Sequence, residues 1–202
     1  MGYLNNDCWC GTVKQFLALD RDTWLKKMEQ RFHHVTPHKL VPQQKRAWAN
    51  SFDVLHNALQ ELGEAYHKLH LVFEYCLPSY PPRANGTVSE NYVIRADCVI
   101  VSETAAIVLE FKDRPDVRKE HGFSTRRYRN RLQKFHDQSQ GKRKWAILIP
   151  TLSSGIREVI LQRITACSPN RLAEELKHQL GEQPKPVSSI KAWCASAYSA
   201  HV

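Results

Sequence analysis

Arg95-Ala96-Asp97-Cys98-Val99-Ile100-Val101, then Ser102-Glu103-Thr104, then Ala105-Ala106-Ile107-Val108-Leu109-Glu110-Phe111-Lys112 is the stretch that decides the fold. Two apolar runs flank a polar corner, which predicts a β-hairpin. With Glu103 and Thr104 as its two-residue loop, Ser102 pairs with Ala105, and the same register sets Asp97 opposite Glu110. Directly opposed side chains sit with Cβ atoms ~5 Å apart. Side chains alternate along a strand, so Glu110 and Lys112 share a face. Charge buried in such strands is costly unless it is paired or binds a metal. Two carboxylates this close call for a cation or a proton between them. A lysine beside them suits phosphate binding and water activation.

The remaining chain narrows the partners. Its 202 residues carry 29 Lys+Arg against 20 Asp+Glu. Between Arg114 and Lys144 stand eleven lysines and arginines and three acids, nearly all of the net charge of +9. A patch of that kind suits a polyanion, although a solvated basic helix has the same composition. The six cysteines include no Cys-x-x-Cys and no zinc spacing, and they are too dispersed for an iron–sulfur cluster. Cys8-Trp9-Cys10 reads as incidental, and Cys76 and Cys98 as reduced core thiols. No secretory leader and no run of ~18 apolar residues is visible, so a cytoplasmic protein without a membrane span is expected.

Helical spacing runs from Thr12 to Phe32, with Asp20 or Asp22 as its cap, and again from Lys45 to Lys68 through Trp48, Phe52, Leu55, Leu59, Leu62 and Tyr66. His33, His34 and His38 read as loop histidines, and Glu61 and Glu64 as solvated. His70–Leu77 reads as a strand, with Leu71, Phe73, Tyr75 and Leu77 on one face and Val72, Glu74 and Cys76 on the other. Residues 79–91 read as a loop. Ser124 or Thr125 is expected to cap a helix running to about Ser139, followed by a strand over 145–149. Ile156–Ile164 and Leu172–Leu180 read as closing helices, 183–186 as a linker and 193–198 as a short terminal segment. The expected architecture is α/β: a three-strand meander, a crossover helix and a fourth strand, in a mixed sheet of four to five strands flanked by helices.

That order, with Asp97 in one strand and Glu110-Phe111-Lys112 ending the next, resembles the PD-(D/E)xK nuclease superfamily, with Ala96 where proline is usual. Wider stretches resemble the N-terminal nuclease-like domain of bacterial proteins that carry a C-terminal P-loop helicase or ATPase domain. They include Phe16-Leu17-Ala18-Leu19, Ala47-Trp48, Phe73-Glu74-Tyr75-Cys76-Leu77-Pro78, Tyr128 with Leu132 and Phe135-His136, Ile149-Pro150-Thr151, Trp193 and Tyr198. No phosphate-loop motif occurs in this chain, which therefore corresponds to a freestanding domain or to the portion preceding a motor. Two departures make its helix more basic: Ser124 where relatives carry glutamine, and Arg131 where they carry aspartate.

The resemblance implies one restriction-endonuclease-like domain over 1–202, with a core of about 45–151, an N-terminal helical extension over 1–44 and C-terminal helices over 152–202. It implies a nuclease acting on DNA in preference to RNA. Asp97, Glu110 and the backbone carbonyl of Phe111 would hold Mg²⁺ or Mn²⁺, Lys112 would be catalytic, and Glu74 is the candidate fourth acid. Arg95, Arg126, Arg127, Arg129, Arg131, Lys134, Lys142, Arg143 and Lys144 would track the nucleic-acid backbone. For Glu74 the competing expectation is a salt bridge to an arginine such as Arg95, and for His136 a structural hydrogen bond. The alternative function is a nuclease-fold module that binds nucleic acid without cutting it, or docks onto a partner ATPase or helicase.

Overall fold

Pro42 opens the longest helix at a position where a missing N–H costs nothing, and Gly63, at φ +78°, ends it. Between them Trp48, Phe52, Leu55 and Leu59 recur on one face and are buried. The computed structural model that contains this helix describes residues 9–35, 39–77, 94–161 and 164–195. The expectations for Cys8, His38, the 79–91 loop and Tyr198 lie outside those residues.

In chain order the elements are β1 (Trp9–Thr12), α1 (Val13–Leu17), α2 (Arg21–Val35), α3 (Pro42–Leu62), β2 (His70–Leu77), β3 (Ile94–Val101) and β4 (Ala105–Lys112). They continue as α4 (Lys119–Phe135), β5 (Arg143–Pro150), β6 (Arg157–Leu161), β7 (Ile164–Cys167), α5 (Leu172–Leu180) and α6 (Ile190–Cys194). The strands form one sheet in the order β1-β2-β3-β4-β5-β7-β6. β1 to β4 are antiparallel neighbours; β5 joins β4 in parallel through the α4 crossover, and β7 joins β5 in parallel.

The meander and its crossover match the sequence reading, but seven strands replace the expected four to five. The N-terminal segment adds β1, and the helix expected over 156–164 is the antiparallel pair β6–β7. Val159, Ile160, Ile164 and Thr165 are β-branched, and a short apolar run cannot be assigned to helix or strand by periodicity alone. The sheet therefore draws on segments read as an N-terminal helical extension and as C-terminal helices. The single helix expected over 12–32 divides at Ala18–Asp20, where Asp20 accepts the Thr23 N–H at 2.8 Å and starts α2. His33 and His34 end α2 instead of lying in a loop.

Two hydrophobic layers sandwich the sheet. One joins Leu71 and Phe73 of β2, Cys98 and Ile100 of β3 and the odd-numbered residues of β4 to α1, α2, α3 and α5. Phe16, Trp24, Phe52 and Phe73 form its aromatic centre, with ring centroids 4.9–6.0 Å apart. The other packs Val99, Val101, Ala106 and Val108 against Leu132 of α4 and Trp193 of α6. β4 is buried on both faces, as a central strand must be.

Tyr75 and Leu77 belong to this second layer, although alternation places them with Leu71 and Phe73. The cause is Glu74. Its φ of +51° is the left-handed conformation, and it is the one non-glycine residue with positive φ among the described residues. The strand exchanges faces there, at a cost of ~1–3 kcal/mol that the surrounding packing must offset.

Candidate active site

The β3–β4 hairpin has the register its loop length requires. Cys98 pairs with Leu109 and Val101 with Ala106, and the Ser102 N–H donates to the Ala105 carbonyl at 2.9 Å. Asp97 is therefore level with Glu110. On the other side of β3, Phe73 pairs with Cys98 and Tyr75 with Ala96, which brings Glu74 level with Asp97. Three carboxylates thus stand in a row across three adjacent strands, and Lys112 is the ammonium at the end of the row.

Each acid is held differently. The Phe111 N–H donates to Asp97 Oδ2 at 2.8 Å, so a side chain takes the place of a ladder partner. Lys112 Nζ donates to Glu110 Oε1 at 2.5 Å, while Glu110 Oε2 is buried and no donor reaches it. Trp48 Nε1 and Gln44 Nε2 donate to Glu74 Oε1 at 2.7 and 3.2 Å. Arg95 reaches the Glu74 backbone carbonyl at 3.2 Å, so this contact to Glu74 is to the main chain, while α3 bonds its carboxylate. Gln44 is absent from the sequence expectations, and Trp48 enters them as part of the apolar stripe of its helix and not as a donor to Glu74. The available signal was Glu74 itself: a carboxylate in an apolar strand requires donors, and residues four apart on a facing helix can supply them.

Crowding and burial set the protonation. Burial and the Asp97 charge push Glu110 up to about 8, and the same two causes push Glu74 up to about 7. Burial also raises Asp97, against the pull of Lys112 and of the Phe111 N–H. Burial pulls Lys112 down, but the charges of Glu110 and Asp97 outweigh it and hold the ammonium above its ordinary value.

Among the described residues no group of three or more His, Cys, Asp or Glu side chains is arranged to hold a metal ion. The set on offer is smaller: two carboxylates and a backbone carbonyl, all oxygen, with one buried carboxylate oxygen lacking a donor. Such a set fits a hard divalent cation that keeps several waters. A cavity of about 190 Å³ opens beside Asp97, Phe111 and Lys112, with Trp24, Gln44 and Trp48 also in its wall and Glu110 outside it; one water occupies ~30 Å³.

The basic tract divides into parts. Arg126, Arg127 and Lys134 are exposed on α4, and Arg129 and Arg131 are half-buried. Arg95 lies beside the acids. Lys142, Arg143 and Lys144 stand at the start of β5, whose first residue pairs with Ala105 whereas Leu148 pairs with Glu110. Five residues of strand separate the two levels, ~16 Å. Lys142 Nζ is bound to the Ser102 and Glu103 carbonyls, and Lys144 is only 7% exposed. These two therefore secure the hairpin and the core and are not presented to a nucleic-acid backbone. His136 is structural: it is pushed down to about 4 by burial, and it contacts the Tyr75 hydroxyl at 3.0 Å and Ser139 Oγ at 2.9 Å beneath Trp193. Glu61 and Glu64 are exposed. Cys76 and Cys98 are buried free thiols. No helix among the described residues is long and apolar enough to cross a membrane.

Fold and site together define a mixed α/β protein with a carboxylate row and one lysine at the end of its central hairpin. Compared with known families, curated proteins and solved structures, the chain matches none.

Proposed function

We propose that this protein is a divalent-metal-dependent nuclease of the restriction-endonuclease-like, PD-(D/E)xK kind, acting on DNA in preference to RNA in a reducing, cytoplasmic setting. The observation that carries the reading is the convergence of Asp97, Glu110 and Lys112 on one buried point, with Glu110 Oε2 lacking a donor. Asp97, Glu110 and the Phe111 carbonyl would hold Mg²⁺ or Mn²⁺, which when bound supplies Lewis acidity toward a phosphate oxygen and a water. Lys112 orients that water and offsets charge developing on the phosphate oxygens. Glu74, fixed by Trp48 and Gln44, adds negative charge beside Asp97 and keeps the row rigid. The water oxygen releases a proton to solvent and bonds to phosphorus as the bond to the leaving oxygen breaks, and that oxygen takes a proton from solvent.

A second reading is a module that grips nucleic acid, or a partner ATPase, without cutting. The observation in its favour is the ion pair that already occupies Lys112. Plasmid and oligonucleotide cleavage in Mg²⁺ and in Mn²⁺, with Lys112→Ala alongside, separates the two. The nuclease reading expects cleavage by wild type and a loss of at least ~10³-fold in the variant, with circular dichroism unchanged. Binding by both proteins with cleavage by neither refutes it.

A further inference from the structure

On the α4 side of the carboxylate row lies a separate cleft of about 270 Å³, lined by Ile94, Arg95, Ser124, Arg127 and Tyr128. Among the described residues its lining holds two guanidinium groups, two hydroxyls and no carboxylate. Arg95 is anchored through its contact to the Glu74 carbonyl, two residues from Asp97 on the same strand. Ser124 and Tyr128 lie one helical turn apart, so both face the cleft, with Arg127 beside Tyr128. The cleft borders the acids closely enough that burial and then the charges of Glu110, Asp97 and Glu74 push the Tyr128 phenol up, which keeps it a neutral donor.

We infer that this cleft is a nucleotide subsite: Arg95 and Arg127 take the phosphate next to the bond that is cut, and the Tyr128 ring lies against that nucleotide's sugar or base. Guanidinium groups suit phosphate through paired N–H donors, and an aromatic face accepts any base, so recognition would not depend on sequence. Once ionised, the carboxylate row repels a phosphate unless a cation is present, whereas the cleft attracts one without it. The strand would therefore be held first on its neighbouring phosphate and presented to the acids second. A cleft of about 270 Å³ holds about one nucleotide, so the proposed occupant is one nucleotide of a single-stranded segment.

The inference rests on the nuclease reading but is tested apart from it, by calorimetry in EDTA with thymidine 5′-monophosphate, thymidine and inorganic phosphate as probes. The monophosphate should bind at least tenfold tighter than either other probe. Arg127→Ala should weaken it about tenfold and Arg127→Lys by less, because a lysine keeps the charge and loses the fork. Lys27→Ala, which removes one exposed charge from α2, should leave it unchanged. Lys112→Ala should keep the binding while losing cleavage, so a chain that binds the monophosphate yet cuts nothing refutes the nuclease and not the cleft. Equal binding of monophosphate and thymidine, equal binding of monophosphate and inorganic phosphate, or equal losses in Arg127→Ala and Lys27→Ala would each overturn the assignment.

Discussion

Replacing Glu110 by glutamine should stabilise this protein in the absence of divalent cations, and more so as pH rises. A carboxyl whose folded value lies above its unfolded one binds its proton more tightly when folded, so stability falls as pH climbs from the lower value to the higher. For Glu110 those values are 4.5 and about 8. At ~1.4 kcal/mol per pH unit, the cost of the ionised, folded form reaches ~5 kcal/mol above pH 8. The group is 2% exposed, so solvent screening does little to reduce that figure. The clean window is pH 6.5 to 9, above the range in which His136, at about 4 when folded, contributes. Across it Glu110 alone should remove ~2 kcal/mol, and Glu74, at about 7, adds a smaller loss over the lower part of the window. Urea unfolding in EDTA at several pH values measures both the slope and the offset. Wild type should lose ~2–3 kcal/mol over the window. Glu110→Gln should lose less than half of that and exceed wild type at pH 9 by several kcal/mol, ~10 °C in Tm for a chain of this size. Manganese at millimolar concentration should raise the wild type at pH 8 and leave the variant unmoved. If Glu110→Gln is instead less stable than wild type at pH 9, Glu110 and Lys112 form an ordinary stabilising ion pair and the crowded-carboxylate argument fails.

Trp48→Phe removes the 2.7 Å bond to Glu74 and should cost ~1–3 kcal/mol, with the larger value above pH 7 where Glu74 is charged; chemical denaturation at two pH values decides it. Trp193→Ala empties a fully buried site whose ring lies 4.4 Å from His136 and 5.0 Å from Tyr75, and should cost ~3–5 kcal/mol, read as a fall in Tm. Lys142→Met frees the two carbonyls of the hairpin turn and should cost ~1–2 kcal/mol. Its hydrogen exchange should quicken at the turn while the proposed cleavage activity is unchanged, and loss of that activity at unchanged stability would place Lys142 at the proposed substrate site.

The hairpin was legible because two apolar runs of equal length around a two-residue loop admit one register, and that register alone aligned Asp97 with Glu110. β2 and α5 were legible for similar reasons: Pro78 ends the first, and the second carries a clean apolar face before Gly181. The start of α4 was not. Ser124 and Thr125 looked like caps, yet their hydroxyls bond the carbonyls of Glu120 and His121 four residues back, inside a helix that begins at Lys119. β6 and β7 were hidden because their strand character comes from the open edge of β5, which no local window contains. Arg131 and Lys144 illustrate the limit for the basic tract: charge is readable from the sequence, but whether a long side chain faces water or lies along the sheet depends on packing.

The reversal at Glu74 has a consequence for how this strand tolerates change. Because both faces of this strand are buried, polar substitutions across 71–77 should be costly at every position, with residues 71 and 73 reporting on one half of the interior and 75 and 77 on the other. Glycine at position 74 would relax the main chain and surrender the carboxylate in the same step, so a search for thermostable variants and a search for active ones should part company at this residue.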